Sequence, residues 1–297
     1  MSRLAARLKY RILRSPAASL VKSARKVSMG RILAERIALT EQLPDGPEIE
    51  AHANALAANG FARLDGLIDP RALADLEQAA AIRIAGGDGV PSASPDGTSN
   101  KAFWSRPLDA DLIDGKMPHD SAFTRFALQP ALLGFLARSL GTLPLLDYVL
   151  LTVSRPVSGE LSQSQLWHRD HDDVRTIKVF VYLTDVSSQA DGPFTFLPGP
   201  QSDLAGQPLR SHAPDDWLMA RADASDLEQM IAPKLSAFAV ETSRCLHMGS
   251  RVLAGHSRAL FTATFTTAPR IFAGANRFVD ASEESELVRA VLGQALV

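Results

Sequence analysis

The sequence predicts a mainly β protein, an antiparallel sandwich or jelly roll with a layer of helices packed outside it. Three observations carry this expectation. Residues 145–153, 176–184, 237–247 and 258–267 are runs rich in β-branched and aromatic residues, bounded by turn residues. Helical periodicity is confined to the part before residue 141. Helices followed by many short strands, with no internal repeat, suit one β body with a helical layer.

The elements follow in order. Residues 37–60 read as helix, with Pro47 suited to a first turn, Ile49, Ala53 and Leu56 on one face and Gly60 as the stop. Phe61 to Leu64 reads as a short strand. Asp69-Pro70 starts a helix that puts Leu73, Leu76 and Ala80 on one side and ends at Gly86-Gly87. Residues 86–120 carry nine Gly and Pro without a period and read as a loop-rich lid, in which Trp104 and Arg106 either face a ligand or pin the loop. A helix is expected over 130–140, from Pro130 to the stop at Gly141. Strands are expected at 145–153, 166–170, 176–184 and 194–197, with Asp191-Gly192 as a hairpin turn. Ser225-Asp226-Leu227-Glu228 matches a capping box for a short helix. The last strands are expected at 237–247 and 258–267.

Composition narrows the class. The chain has 297 residues, 46% apolar and 22% charged. These values exclude a largely disordered, collagen-like or coiled-coil chain. No apolar run reaches the roughly eighteen residues of a membrane span. A single cysteine, Cys245, excludes an internal disulfide and a cysteine-based zinc cluster, and suits a reducing compartment. The net charge of −2 hides an asymmetry. Residues 1–36 hold ten Lys or Arg against Glu35, a net of +9, which leaves −11 on the remainder. The expected division is therefore a basic, helical arm of residues 1–36 and a single domain of residues 37–297. Three readings of the arm stay open: contact with an anionic membrane surface, an organelle transit peptide, or a helix docked on the body. No nucleic-acid motif accompanies the basic charge, so no nucleic-acid partner is expected.

The chemistry concentrates in Trp167-His168-Arg169-Asp170-His171-Asp172-Asp173. On a strand, positions i and i+2 share a face, so His168 and Asp170 project together, while His171 points away. A third donor completes a metal site, and His247 stands at the end of a late strand. Two imidazoles and one carboxylate on one face of a metal leave three positions open, as in non-haem Fe(II) oxygenases. Taken alone, His-x-Asp is weak, and the alternative is a hydrogen-bonded or surface histidine. Arg258 follows His247 by eleven residues, and a hairpin through Gly249 and Gly255 would return it beside His247. Its planar fork suits a carboxylate. A surface arginine is the equal alternative on spacing alone.

Several stretches together resemble the phytanoyl-CoA dioxygenase family of Fe(II)/2-oxoglutarate oxygenases. They are Trp167-His168-Arg169-Asp170, the strand Lys178 to Val186, the turn Gly192-Pro193 through Leu197-Pro198-Gly199, and Cys245-Leu246-His247-Met248-Gly249-Ser250, with Arg258 completing the pattern. The similarity spans about residues 56–268. It implies a double-stranded β-helix, with His168, Asp170 and His247 as iron ligands and Arg258 as the anchor of 2-oxoglutarate. It also implies O2 as co-substrate and hydroxylation of a small organic substrate with release of succinate and CO2. Two departures stand out. Pro200-Gln201-Ser202 replaces a common Ser-His, and Gly249 stands where a hydroxyl often helps hold 2-oxoglutarate. Tyr182, Lys178 or Thr152 is expected to supply that contact. Two other readings are a Zn-type hydrolase built on the same three ligands and a non-catalytic metal- or ligand-binding jelly roll. The expected location is cytoplasmic, with membrane contact through residues 1–36 as a variant of it.

Overall fold

A computed structural model describes residues 12–13, 15, 17–87, 91–93, 100–156, 160–208, 211–249, 251–271 and 277–295. Residues 1–11 of the expected arm, and 88–90 and 94–99 of the expected lid, lie outside them. The chain opens with helices α1 (Ala17–Ser28), α2 (Gly30–Leu39) and α3 (Pro47–Asn59). The helix expected over 37–60 is thus two helices. Pro44 and Pro47 supply no amide donor to continue α2, and Pro47 instead opens α3. Gly60, at φ +75°, closes α3 in the left-handed region and feeds β1 (Phe61–Arg63). Asp69 caps α4 (Pro70–Ala85), accepting from the Arg71 amide at 2.8 Å.

The segment expected as lid contains strands β2 (Pro91–Ala93) and β3 (Asn100–Ser105), which extend a sheet edge. Trp104 is therefore a strand residue opposite Ser154, and Arg106 pairs with Asp109 at 3.2 Å. Helices α5 (Ala122–Ala127) and α6 (Pro130–Leu140) follow, with Gly141 as the stop of α6. Within α6, a Cβ on Gly134 would stand 2.3 Å from the carbonyl oxygen of Pro44. In an open helix, Gly→Ala raises stability by about 1 kcal/mol. Here Gly134→Ala is expected to lower it by about 1–3 kcal/mol, because backbone must move. The thermal midpoint reads the sign, and a raised midpoint contradicts this packing.

The remaining strands are β4 (Leu145–Ser154), β5 (Trp167–His168), β6 (Thr176–Tyr182) and β7 (Thr195–Phe196), then, after helix α7 (Gly199–Ala205), β8 (His212–Ala213). Helix α8 (Asp215–Met219) precedes β9 (Glu228–Gln229), β10 (Ala237–Glu241), β11 (His247–Met248), β12 (Arg258–Thr266) and a last helix α9 (Glu286–Val291). They form two antiparallel sheets, ordered β1-β10-β6-β12-β4-β3-β2 and β8-β5-β11-β7-β9. This is the jelly-roll arrangement with flanking helices, and the sheets do not close into a barrel. The short helix expected at 225–228 is a single 3-10 turn followed by β9. Asp191-Gly192 is not a hairpin turn: β6 lies in the large sheet and β7 in the small one, so the turn carries the chain between sheets.

The large sheet sorts its side chains by parity. Val149, Leu151, Val153, Ile177, Val179, Val181, Ala259, Phe261 and Ala263 face the helices and pack with Leu56, Leu132, Phe135 and Leu136. Phe180, Tyr182, Phe238, Val240 and Leu260 face the small sheet and pack with Phe194 and Phe196. Lys178 and Arg258 share the parity of the second set, which turns two cations into the space between the sheets. A register shift in β4 opposite Thr264/Phe265 marks a bulge at Asp147-Tyr148. The basic segment is folded against the body where it is described. Arg36 is buried and donates to the carbonyls of Ala290, Leu143 and Pro144.

Candidate metal centre

Strand β5 aims two residues at opposite faces. The Trp167 indole donates to Asp215 at 2.8 Å, while His168 turns inward beside His247, its direct cross-strand partner on β11. The two imidazole centroids are 4.2 Å apart. Asp170 lies just past the end of β5, where its amide donates to the Thr242 carbonyl at 2.9 Å. One donor atom from each of His168, Asp170 and His247 lies within 4.8 Å of the others. Nε2 of His168 is 3.9 Å from Asp170 Oδ1, and Nε2 of His247 is 3.4 Å from Asp170 Oδ2. Three groups separated by 79 positions of sequence between the outer two, His168 and His247, are thus brought to one point by the β5–β11 pairing.

The tautomers are set by the backbone. His168 Nδ1 lies 2.8 Å from the Leu166 carbonyl, and His247 Nδ1 lies 3.0 Å from the Cys245 carbonyl. A carbonyl only accepts, so each Nδ1 carries the proton and each Nε2 presents a lone pair toward Asp170. Burial, then the adjacent His247, pulls His168 well below the usual imidazole range, which keeps it neutral. Burial pushes Asp170 upward, but the Lys178 ammonium outweighs it and holds the carboxyl well below its usual range. Lys178 answers in kind. Burial opposes its charge, yet Asp170, Tyr148 and Asp172 raise it well above the ordinary lysine value. Its Nζ is 2.8 Å from Asp170 Oδ2, a buried ion pair at hydrogen-bonding distance. Two ring nitrogens facing a buried, ionised carboxylate are a donor set that fits a divalent metal.

Arg258 is fully buried, and its Nη1 donates to the Gly192 carbonyl. The Tyr182 hydroxyl pairs with it, donates to the Met230 carbonyl at 2.8 Å and accepts from the Phe194 amide at 3.1 Å. The Phe194 ring stacks on His247, with centroids 5.3 Å apart. A short path therefore links the guanidinium to a metal-site imidazole through Tyr182 and Phe194. The expected hairpin is not how this happens. β11 pairs with β5 and β7, and β12 with β4 and β6, so His247 and Arg258 stand on different sheets facing one interior. Gly249 lies against the guanidinium: a Cβ there would be 3.7 Å from Nη2. That is ordinary van der Waals contact, so the space beside Arg258 does not itself demand glycine there.

Of the three residues expected to supply further co-substrate contacts, Lys178 stands at Asp170, Tyr182 at Arg258, and Thr152 donates to the Leu260 carbonyl at 3.3 Å. His171 is not among the three converging groups. Sequence reasoning missed Phe194, as well as His212, whose ring lies 4.9 Å from that of His168 as its cross-strand partner on edge strand β8. A two-residue edge strand has no sequence period to reveal it. It also missed Ser202, which donates to the Leu197 carbonyl at 2.7 Å and accepts from the Leu246 amide at 2.8 Å, tying α7 beside β11. Cys245 is no nucleophile, since burial pushes its thiol up to about 12.

The Gly192 turn that receives Arg258 is held by Asp191, which takes His256 at 2.8 Å and the amides of Ser187 and Ser188 at 3.0 Å each. These bonds, His256 foremost, pull the Asp191 carboxyl down to about 2. An unfolded aspartate titrates near 3.9, about two units higher. The contribution of Asp191 to stability is therefore present in full above about pH 4 and lost as pH falls toward 2. Asp191→Asn is expected to flatten the dependence of the urea midpoint on pH in that window. An equally steep dependence in both proteins contradicts the assignment.

No protein-family profile and no curated protein matches the chain. Solved structures do. The apoform of EctD from S. alaskensis aligns with a TM-score of 0.55 at 15% identity, over 80% of this chain and 85% of that one. EctD with 2-oxoglutarate and 5-hydroxyectoine aligns at 0.54 and 16%, over 73% and 76%. The non-heme alpha ketoglutarate dependent epimerase SnoN from nogalamycin biosynthesis aligns at 0.51 and 17%, over 74% and 83%. Likeness at these identities establishes the fold they share with this chain.

Proposed function

We propose that the chain is a non-haem Fe(II)- and 2-oxoglutarate-dependent oxygenase of the phytanoyl-CoA dioxygenase type, hydroxylating a small organic molecule. One observation carries the reading: a buried His-Asp-His cluster and a buried arginine, contributed by opposite sheets, face the same interior. Structural neighbours that bind Fe and 2-oxoglutarate support it. EctD has been crystallised with Fe and with 2-oxoglutarate, and SnoN with Fe3+, alpha ketoglutarate and a nogalamycin. SnoN is named an epimerase, so a scaffold of this kind does not by itself fix hydroxylation as the outcome.

His168, Asp170 and His247 would hold the iron, with the Nε2 atoms and the Asp170 carboxylate as donors. When bound, iron with 2-oxoglutarate and O2 supplies the oxidising power for C–H cleavage, with succinate and CO2 as by-products. The protein supplies the rest. Lys178 keeps Asp170 ionised and fixes one of its oxygens, so the carboxylate meets a metal with its rotamer already chosen. Arg258 offers its fork to the distal carboxylate of 2-oxoglutarate, and Tyr182, with both its hydrogen-bonding directions taken by Met230 and Phe194, orients that fork. Phe194 and Phe196 wall the imidazole of His247 with apolar surface, which excludes water beside the metal site. The test is succinate release: purified protein with Fe(II), O2 and 2-oxoglutarate is expected to form succinate, faster with its proper substrate. Zinc-supported hydrolysis with no consumption of 2-oxoglutarate would instead favour a hydrolase.

A further inference from the structure

We propose that α1 is a positioning element of the metal centre, with Lys22 holding, through Asp173, the loop that carries Asp170. The inference rests on the metal reading above. Residues 170–173 include three carboxylates, Asp170, Asp172 and Asp173, and each takes its counter-charge from a different place. Lys178 on β6 serves Asp170 and, with Arg277, Asp172. Asp173 is almost wholly buried, and its cation comes from the N-terminal helix: Lys22 Nζ pairs with Oδ2 and also donates to the Thr267 carbonyl at 3.1 Å. The other oxygen, Oδ1, accepts from the Ile271 amide at 3.4 Å.

The helix is seated for this purpose. Leu13 and Ala18 pack with Ile271 and Val174, and Ala18 and Lys22 stand one turn apart on the inward face of α1. Arg25 donates to the Ile271 carbonyl at 3.1 Å. So α1 grips both the loop after β5 and the segment after β12. Asp170 needs such support because β5 is only two residues long and ends at His168. Beyond it the backbone is fixed by separate anchors: Arg169 to the Ser202 carbonyl at 2.5 Å, Asp170 to Thr242, Asp173 to Lys22, and Arg175 to Glu241 at 2.8 Å. Among these, Lys22 alone comes from outside the β body and the segments joining its strands. Without its ammonium, the buried Asp173 carboxylate is left uncompensated. The tie between α1 and the loop is then gone whether or not position 173 keeps its charge, and Asp170, three positions earlier, loses its aim. Of the basic charge that stands out in the sequence, Lys22 and Arg36 are both buried in the acidic body, and Lys22 is the one that reaches the loop of Asp170.

The test uses the full chain and Co(II) alone as probe, with affinity read by titration and geometry by the visible spectrum of the bound ion. Lys22→Met is expected to weaken Co(II) binding about tenfold, the low end of what lost support of a metal ligand costs, and to alter the spectrum. Lys22→Arg, which keeps the charge, is expected to bind as the parent does. Arg36→Met removes another buried N-terminal cation, one whose partners are Ala290, Leu143 and Pro144. It is expected to lower the thermal midpoint and leave Co(II) affinity unchanged, which separates positioning from general destabilisation. Lys22→Met combined with Asp173→Asn buries no lone charge, carries the same expected loss of affinity, and covers failure of the single variant to fold. Parental Co(II) affinity in Lys22→Met or in the paired variant, or an equal loss in Arg36→Met, overturns the proposal alone. A parent chain that binds no Co(II) overturns the metal reading and this inference together.

Discussion

Asp170→Ala and His168→Ala are each expected to abolish metal binding at the site, and with it 2-oxoglutarate consumption. Loss of an outer-sphere group costs about 10–100-fold in metal affinity; loss of one of three direct donors is expected to exceed that range. The two variants should differ in their side effects. Asp170→Ala takes from buried Lys178 the carboxylate 2.8 Å from its Nζ and leaves Asp172 as the remaining counter-charge, so this variant should also unfold at lower temperature. His168→Ala removes a neutral ring held by the Leu166 carbonyl and should spare more of the fold. Equilibrium metal analysis after dialysis, beside thermal midpoints, reads both effects. Retained one-to-one metal in either variant would remove these residues from the ligand set.

Arg258→Ala is expected to raise the 2-oxoglutarate requirement by more than about a hundredfold, the equivalent of losing a buried charged partner worth about 3–5 kcal/mol. Metal affinity should change far less, because no ligand atom comes from Arg258. Arg258→Lys is expected to recover only part of the loss, since a point charge cannot reproduce the planar fork that Gly192 and Tyr182 hold in place. Succinate formation at varied 2-oxoglutarate measures the effect. An unchanged requirement in Arg258→Ala would place the co-substrate elsewhere.

The parts of the fold legible in the sequence are those whose signal is local. Asp69-Pro70 and Gly141 mark helix ends because capping is decided within a few residues. β4, β6 and β12 are long enough to show β-branched, apolar runs. What was illegible is decided by pairing. β8 and β9 are two residues each, and nothing local separates them from loop, whereas the expected strands 166–170 and 194–197 hold β5 and β7, and the single run expected over 237–247 divides into β10 in one sheet and the start of β11 in the other. Asp191-Gly192 has the chemistry of a tight turn, yet a turn between strands of one sheet and a turn between two sheets require the same residues. The passage from His247 to Arg258 shows the same ambiguity: both side chains arrive at one interior, by a crossing between sheets and not by a hairpin. The donor set was legible through the combined stretches around His168, Asp170 and His247, since His-x-Asp alone is weak and Asp170 lies just past the two-residue strand β5. The roles of Lys178 and Lys22 were not, since a lysine that ends beside a buried aspartate looks in sequence like any solvated one.

An anaerobic titration with Fe(II), followed by 2-oxoglutarate, tests the central claim most directly. The parent protein is predicted to bind one Fe(II) per chain and then to develop a visible charge-transfer absorption as 2-oxoglutarate chelates the ion. Arg258→Ala should require far more 2-oxoglutarate for that absorption, and Asp170→Ala should show none. A parent chain that binds no Fe(II), or binds it and stays colourless with saturating 2-oxoglutarate, would contradict the proposed chemistry.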